Sequence, residues 1–407
     1  MLIIIKYVLK YTRGKQMKKL FLLSITIFLS ISIFASIDFQ MEQIFSSDEI
    51  TINKLASKDG KLFILGSDQE DDMYFGIMKN DSIIYERRIS GEKEEYLSDI
   101  IFSGDDIFLL GFSDSKTEMF SDQRGFGDII LIKMNSNYEI EWLKNYGGNF
   151  ADVGNSIIES SDGYLYIAGY TNSPQIENYN NLEDSFVIKI DKNGNEIWAK
   201  ASGTEHVEQF NDIIQVDDNF VVTGYRSIND KSVACNYTDT NVILAEITPE
   251  GNLLWEKVYG GFYEEEGFSI AEKDESFYVL CSREDVSSFL SEGYGKFDFW
   301  LLKTDFEGNI QEKYIYGGSS FDIPSEMIMT ESELLLAGTT RSNDEVLKMY
   351  KRDKDKDIVI FEVDFSGKII DAYIIGNEED NNFDYAVLAG NELFVAFSDL
   401  YNNYILK

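Results

Sequence analysis

The residue types that carry nucleophilic and metal chemistry are scarce in this chain of 407 residues. His206 is the only histidine, and Cys235 and Cys281 are the only cysteines. No serine or cysteine stands at a diagnostic spacing from His206, so the parts of a nucleophile–histidine–acid triad are missing. The same scarcity argues against a histidine- or cysteine-based metal site. The sequence therefore identifies no catalytic, cofactor-binding or metal-binding residue, and it leaves open whether Cys235 and Cys281 form a disulfide.

Carboxylates are abundant instead, with 72 acidic residues against 36 basic ones. The run DKNGNE at 191–196 has oxygen-bearing side chains at alternate positions, as at the start of a calcium-binding loop. It lacks the downstream glutamate of such a loop and stands where a hairpin turn is required, so we interpret it as a turn. Asp353, Asp355 and Asp357 also alternate, but neighbouring basic residues offset their charge. We predict no cofactor, with bound calcium as the alternative.

Paired carboxylates are sufficient for glycoside hydrolysis, in which one acid protonates the leaving group and a second acts as base or nucleophile. A chain this acidic supplies such pairs by chance, so their presence has little specificity. A carbohydrate-active enzyme, either a glycosidase or a lyase, is therefore the alternative to a non-catalytic function.

A repeat of 56 to 59 residues organises the chain that positions these groups. The segment DSFVIKIDKNG, from Asp184, has counterparts that begin at Asp128, Asn241, Asp298 and Asp357. The tripeptide Tyr-Gly-Gly marks the same point in successive units, at residues 146–148, 259–261 and 316–318. A fixed period in a long chain without linkers indicates a repeat architecture.

Each unit reads as four short β-strands joined by turns. In the unit 149–203, GNSIIES and YLYIAGY flank a tight turn, as do SFVIKI and EIWAKA. Residues 129–132 are apolar without alternation, which indicates sheets that are covered on both faces. Four-stranded antiparallel sheets packed face to face around an axis are the blades of a β-propeller. The sequence therefore predicts an all-β propeller.

Counting the units predicts seven blades. Their boundaries are 50–91, 92–148, 149–203, 204–261, 262–318, 319–376 and 377–407. The last unit is one strand short, and residues 37–47 resemble a strand without a partner in the first unit. We expect this segment to be the outer strand of blade seven, so that pairing of the N- and C-terminal strands closes the ring. An alternative register places residues 404–406 in the inner strand and takes three strands from the amino terminus.

Glycines recur at the end of the second strand of most units. They are Gly66, Gly111, Gly169, Gly224 and Gly338, whereas blade five has Cys281 there and blade seven has Phe397. A missing side chain permits close approach of backbones, so we interpret these positions as structural.

The segments DSFVIKIDKNGNEIW, YGGNFADVGNSII and SDGYLYIAGYTNS carry a family resemblance. They resemble the SBBP-type bacterial β-propeller repeats of exported proteins, and the resemblance covers nearly all of the chain after residue 35. It implies seven blades and an extracytoplasmic location, and little about function. The first and sixth units depart from the pattern, with Ile89-Ser90-Gly91 and Ile375-Gly376-Asn377 in place of Tyr-Gly-Gly.

Acidic residues follow the Tyr-Gly-Gly point, and long connections link the second and third strands of blades two to six. The acidic residues are Asp152, Glu264, Glu265, Glu266 and Asp322. We interpret them as turn caps and partners of neighbouring backbone, with a cation-binding ring at the channel mouth as the alternative. Alternate connections emerge on one face of a propeller, so we expect the five long loops, rich in Tyr, Phe, Asn and Arg, to form a recognition surface on that face.

The amino terminus reads as an export signal. From Met17, the predicted start, two lysines precede an apolar run from Leu20 to Phe34 and a small residue at Ala35. The run of 15 residues is shorter than the roughly 20 of a spanning helix, so we expect cleavage of residues 1–35 as a signal peptide. The mature chain, 36–407, would be one propeller domain, periplasmic or secreted, without membrane insertion.

Charge and motif content together decide the function that we expect. The formal net charge is −36, and removal of residues 1–35, which hold six basic and no acidic residues, makes it −42. Such a field disfavours binding to nucleic acid and to anionic membrane surfaces. We expect an exported, monomeric, non-catalytic platform that binds a cell-envelope protein or glycan through the long loops of one face.

Overall fold

The computed structural model describes residues 42–116, 118–120, 124–180, 182–228, 239–261, 263–284, 295–349, 355–376 and 380–407. These residues contain 28 β-strands and two short 3-10 helices, Glu118–Phe120 and Glu345–Met349. The predicted signal peptide and Cys235 lie outside them. No helix among them is long and apolar enough to cross a membrane.

The strands form seven four-stranded antiparallel sheets, each written here from the inner to the outer strand. Blade one consists of β2 (Ile50–Lys58), β3 (Lys61–Asp68), β4 (Met73–Lys79) and β5 (Ser82–Ile89). Blade two consists of β6 (Glu95–Ser103), β7 (Asp106–Ser113), β8 (Asp128–Met134) and β9 (Ile140–Tyr146). Blade three consists of β10 (Asp152–Glu159), β11 (Leu165–Thr171), β12 (Asp184–Ile190) and β13 (Glu196–Ala201). Blade four consists of β14 (Glu208–Val216), β15 (Asn219–Ile228), β16 (Asp239–Ile247) and β17 (Leu253–Tyr259).

The remaining blades complete a seven-bladed β-propeller, which confirms the predicted fold. Blade five consists of β18 (Glu265–Lys273), β19 (Ser276–Glu284), β20 (Phe297–Thr304) and β21 (Ile310–Tyr316). Blade six consists of β22 (Asp322–Met329), β23 (Glu333–Thr340), β24 (Asp357–Asp364) and β25 (Ile369–Ile375). Blade seven consists of β26 (Asn382–Ala389), β27 (Glu392–Ser398), β28 (Asn403–Leu406) and β1 (Gln43–Ser47).

The two ends of the described chain close the ring. β1 pairs with β28 in antiparallel register, from Gln43 opposite Leu406 to Ser47 opposite Asn403. Reciprocal backbone hydrogen bonds of 3.0 Å join Glu42 and Lys407 beyond the strand ends. β26 is the inner strand, as the first of the two predicted registers requires, so the amino-terminal segment contributes one strand and not three.

The core lies between neighbouring blades. All seven residues of β12 are buried, because both faces of this strand are covered. Ile129 and Leu131 of blade two pack with Ile157 and Ile188 of blade three in one cluster of buried side chains. Close packing of this kind fixes the position of each blade against the next and gives the ring a rigid frame.

Every inner strand contains a β-bulge near its start. The bulged residues are Asn53, Ser98, Asn155, Asn211, Phe268, Ser325 and Asp384. At the five predicted second-strand glycines, a Cβ atom would lie 1.8 to 2.3 Å from a carbonyl oxygen of the inner strand just before the bulge. The glycines are therefore required by close backbone approach, as predicted.

Candidate functional site

The Tyr-Gly-Gly tripeptide joins consecutive blades. The hydroxyls of Tyr146, Tyr259 and Tyr316 donate hydrogen bonds of 2.9, 2.5 and 2.8 Å to glycine carbonyls in the outer turn of the next blade. The first glycine has a φ of +140°, +149° or +157°, and at Gly260 a Cβ atom would lie 2.1 Å from the Asn241 side-chain oxygen. The tripeptide is therefore a structural joint between blades.

The acidic residue that follows the tripeptide is part of the same joint. Asp152 accepts hydrogen bonds from the Gly148 amide at 2.7 Å and the Ser173 hydroxyl at 2.8 Å. Asp322 makes the equivalent bonds, both 2.7 Å long, to Gly318 and Ser342. Burial raises the pKa of both carboxyls, and the hydrogen bonds lower it in part. These contacts support the structural interpretation of Asp152 and Asp322, which are buried at the start of inner strands.

The propeller has two faces. Because successive strands are antiparallel, the blade-to-blade connections and the second-to-third-strand connections lie on one face, which we call the crossover face. The remaining turns lie on the hairpin face. The second-to-third connections are 10 to 16 residues long in blades two to six and four residues long in blades one and seven. The predicted asymmetry of loop length is therefore present.

The described parts of the long loops are anchored to the blades, a feature that the sequence did not predict. Phe120 and Leu347 are fully buried, and they pack in the clusters of Ile89 and Tyr316, the last outer-strand residues of the preceding blades. In blade three, Glu177 forms a bridge with Lys200 of the outer strand β13. These loop segments therefore lie against the blade junctions. The loops of blades four and five fall almost wholly outside the described residues.

A group of half-buried polar and aromatic side chains borders the central channel on the crossover face. We call it the mouth arc, and it consists of Tyr96, Phe112, Tyr170, Glu183, Gln209, Tyr225 and Glu266. Tyr96 stacks on Phe112 with ring centroids 5.4 Å apart. Tyr96 and Tyr225 each interact electrostatically with Tyr170, so three consecutive blades contribute neighbouring phenol groups.

Hydrogen bonds hold the acidic members of the mouth arc in place. The Gln209 amide donates to Glu183 at 2.5 Å, and the Asn211 amide donates to Glu266 at 3.2 Å. Burial raises the pKa of Glu266, and the bond from Asn211 lowers it in part. Burial also raises the pKa of Tyr96 to about 12, so its phenol is neutral at ordinary pH. The arc contains acidic, amide and aromatic groups and no basic residue.

A ring of residues lies beyond the mouth arc, further along the inner strands. The residues that follow the bulges form this axial ring: Lys54, Asp99, Ser156, Asp212, Ser269, Glu326 and Tyr385. Lys54 forms an ion pair with Asp99 at 3.0 Å and lies 4.4 Å from the ring centroid of Tyr385. The lysine side chain keeps 23% of its exposure. The ring contains one residue from each of the seven blades.

Two aspartates of the axial ring accept hydrogen bonds that connect neighbouring blades. Asp99 accepts the amides of Ile100, in its own strand, and of Ile157, in the next blade, at 2.9 and 3.0 Å. Asp212 repeats this with Ile213 and Ile270, both at 2.9 Å. In each case both carboxylate oxygens are engaged, so these acids satisfy backbone donors near the bulges.

Electrostatics within the axial ring are strongly coupled. Burial alone would lower the pKa of Lys54, but Asp99, Tyr385 and Glu326 outweigh it and hold that pKa well above its usual value. Burial raises the pKa of Glu326 to about 7, with Asp212 adding to the rise and Lys54 opposing it. Lys54 is thus the cation around which the acids of the ring are arranged. No group of three or more metal-ligating side chains occurs among the described residues.

The candidate calcium loop at residues 191–196 is a hairpin turn. Asp191 accepts the backbone amides of Asn193 and Asn195 at 2.9 and 2.8 Å. The bonds from Asn195 lower the pKa of Asp191. Asp305 and Asp364 make the same pattern in later blades. Asp353 lies outside the described residues, and Asp357 is buried at the start of β24.

Comparison with known proteins supports the fold. No protein-family model and no curated protein matches the chain. The Neurospora crassa Pan2 WD40 domain is similar, with a TM-score of 0.55 and 10% identity over 90% of this chain and 94% of that one. Drosophila Plexin A, solved in complex with Semaphorin 1b, has a TM-score of 0.51 and 8% identity over 90% of this chain and 87% of that one. At these identities the likeness concerns the fold alone.

Proposed function

We propose that this chain is an exported, non-catalytic β-propeller that binds a protein or glycan of the cell envelope on its crossover face. One observation carries the proposal: all four exposed aromatic side chains of the described residues lie in crossover-face connections. Phe126 is 69% exposed, Phe150 46%, Tyr263 36% and Tyr401 68%. Exposed aromatic residues beside polar groups are typical of binding surfaces, because they bury a large area at a small cost in conformational entropy.

The mouth arc supplies further aromatic and polar groups on the same face. Its tyrosines and acidic side chains suit a partner that offers hydrogen-bond donors and apolar area, such as a peptide surface or a sugar. The Plexin A structure contains a protein partner, Semaphorin 1b, which is a precedent for protein binding by a chain of similar fold. Export rests on residues 1–35 and on the resemblance to SBBP-type repeats.

A crosslinked pull-down with the mature chain, 36–407, from its own cell-envelope fraction tests the proposal. We expect capture of one partner in stoichiometric amount, and loss of that capture in the double variant Tyr170→Ala, Tyr225→Ala. The matched control is Ile197→Ser with Leu254→Ser, which changes two exposed residues of outer strands, 50% and 52% exposed. Capture of nothing above background, or equal loss in both variants, would contradict the proposal.

A carbohydrate-active enzyme is the second candidate, and Glu326 is the observation that favours it. A carboxyl with a pKa of about 7 is suited to general acid catalysis. Asp99 and Asp212 have both oxygens engaged with backbone amides, so Glu326 would need another partner. Hydrolysis of envelope glycans by the wild type, lost in Glu326→Gln, would establish this function in place of the first.

A further inference from the structure

A cleft of about 360 Å³ lies between blades three and four, away from the mouth arc. Its apolar lining includes Val187, Phe210 and Ile247, and its polar lining includes Asn178, Thr204 and Asn252. This volume is within the range of small-ligand sites. Ligand binding in this cleft would not require the crossover-face binding proposed above.

The cleft lies where five of the other six junctions hold a large side chain. Residue 202 corresponds to Tyr146, since the two stand opposite equivalent residues of the third strand, Ser185 and Ile129. The corresponding residues of five other junctions are Ile89, Tyr146, Tyr259, Tyr316 and Ile375, all at most 8% exposed, whereas Ser47 stands opposite Asn403 at the ring closure. Ser202 is the small residue at the junction of blades three and four, and it lines the cleft.

The outer-turn glycine and the side chains that contact it at the tyrosine junctions have counterparts at this junction. At Gly194 and Gly308, in the turns that tyrosines reach, a Cβ atom would meet the side chains of Lys144 and Lys257 of the preceding blade. At Gly251, in the equivalent turn of blade four, it would meet Trp198 at 2.8 Å and Lys200 at 3.0 Å. Gly251 lines the cleft as well. The frame that receives a tyrosine is therefore present without its occupant.

The acceptor for a phenol is present too. The carbonyls of Gly194, Gly308 and Gly367 each accept a tyrosine hydroxyl. No described side chain donates a hydrogen bond to the carbonyl of Gly251. A buried or half-buried carbonyl gains from a donor, and apolar walls gain from a ring that fills them.

We propose that this cleft binds a p-hydroxyphenyl group, the side chain of a tyrosine presented by a partner protein. The ring would occupy the place of the absent tyrosine between Val187, Phe210 and Ile247. The hydroxyl would donate to the Gly251 carbonyl, as Tyr146 donates to Gly194. The partner's tyrosine thus completes a joint that this chain completes itself at three other junctions.

Thermal unfolding with p-cresol and N-acetyltyrosinamide as probes tests the proposal on the mature chain. Both probes should raise the unfolding temperature of the wild type in a saturable way. Ser202→Tyr should raise it without any probe and should weaken probe binding by at least about tenfold, because the new side chain occupies the cleft. Ser202→Ala is the matched control, which keeps the space and should keep the binding.

A second variant builds the same cleft elsewhere. Tyr146→Ser should lower the unfolding temperature, and p-cresol should restore part of the loss. Several results would overturn the proposal: no response of the wild type to p-cresol, unchanged probe binding in Ser202→Tyr, or rescue of Tyr146→Ser without any binding to the wild type. Binding of p-cresol without binding of N-acetyltyrosinamide would overturn the assignment to a protein side chain.

Discussion

Asp212 shows how one side chain stabilises the ring at the scale of a single residue. Its carboxylate accepts two backbone amides from two blades and the hydroxyl of Ser156 at 3.1 Å. Burial raises its pKa, and these hydrogen bonds and Lys54 lower it in part. The interaction network makes Asp212 a structural member of the axial ring.

Replacement of Asp212 by alanine should lower the free energy of unfolding by about 2 kcal/mol, because it leaves the amides of Ile213 and Ile270 without their acceptor. Chemical denaturation measures this loss. Asp218→Ala, an exposed turn position of the same blade, is the control and should change stability little. Equal effects of the two substitutions would contradict the role given to Asp212.

At the scale of the element, adjacent glycines of one tripeptide differ in whether they can accommodate a side chain. Gly260 has a φ of +149°, and its Cβ atom would lie 2.1 Å from Asn241 and 2.6 Å from Glu265. At Gly261 the nearest atom to a Cβ would be 4.0 Å away. We expect Gly260→Ala to cost about 1 to 3 kcal/mol of unfolding free energy and Gly261→Ala to cost little, as measured by denaturation. A larger loss of unfolding free energy in Gly261→Ala than in Gly260→Ala would contradict the role given to Gly260.

The sequence predicted the elements well because their signals are local or periodic. Apolar runs such as residues 129–132, the turn at 191–196 and the glycine at 169 each repeat with the unit, so seven blades and their closure could be counted. The axial ring could not be predicted, since it joins residues from Lys54 to Tyr385 through a bulge that no residue type marks. The anchors Phe120 and Leu347 were missed because each is one apolar residue in a polar loop.

The candidate site was predicted only in part for the same reason. The crossover face followed from antiparallel strands, but the mouth arc combines side chains from two kinds of strand and a loop. Tyr170 and Tyr225 follow second-strand glycines at 169 and 224, a signal that was available in the sequence. The cleft at Ser202 could have been suspected from the absence of tyrosine there, but its walls required the structure.

At the scale of the whole molecule, ring closure depends on five residues at the amino-terminal end of the described chain. A chain that begins at Glu49 lacks β1 and leaves the edge of β28 unpaired. We expect it to unfold at a lower temperature and to aggregate, because open strand edges pair with other chains. A chain that begins at Glu42 is the control and should resemble the full mature protein. Equal unfolding temperatures would contradict the closure.

Stability should also fall as pH rises from about 5 to about 8. Burial raises the pKa of Asp128 to about 6 and that of Glu265, Glu326 and Asp384 to about 7. A carboxyl with a raised pKa in the folded state stabilises the fold when protonated, and this contribution is lost as pH rises through that pKa. Turn aspartates such as Asp191, whose pKa is lowered, lose their contribution only in stronger acid. Calorimetry across this range should show a decline, and a rise in unfolding temperature would contradict these assignments.

The most direct test of the central claim, that the crossover face binds the partner, is amide hydrogen exchange on the mature chain with and without the captured partner. We predict slower exchange at the start of the inner strands and in the connections around Phe150 and Tyr263. The hairpin-face turns at 191–195 and 305–309 should exchange at unchanged rates. Protection confined to those turns, with none on the crossover face, would contradict the claim.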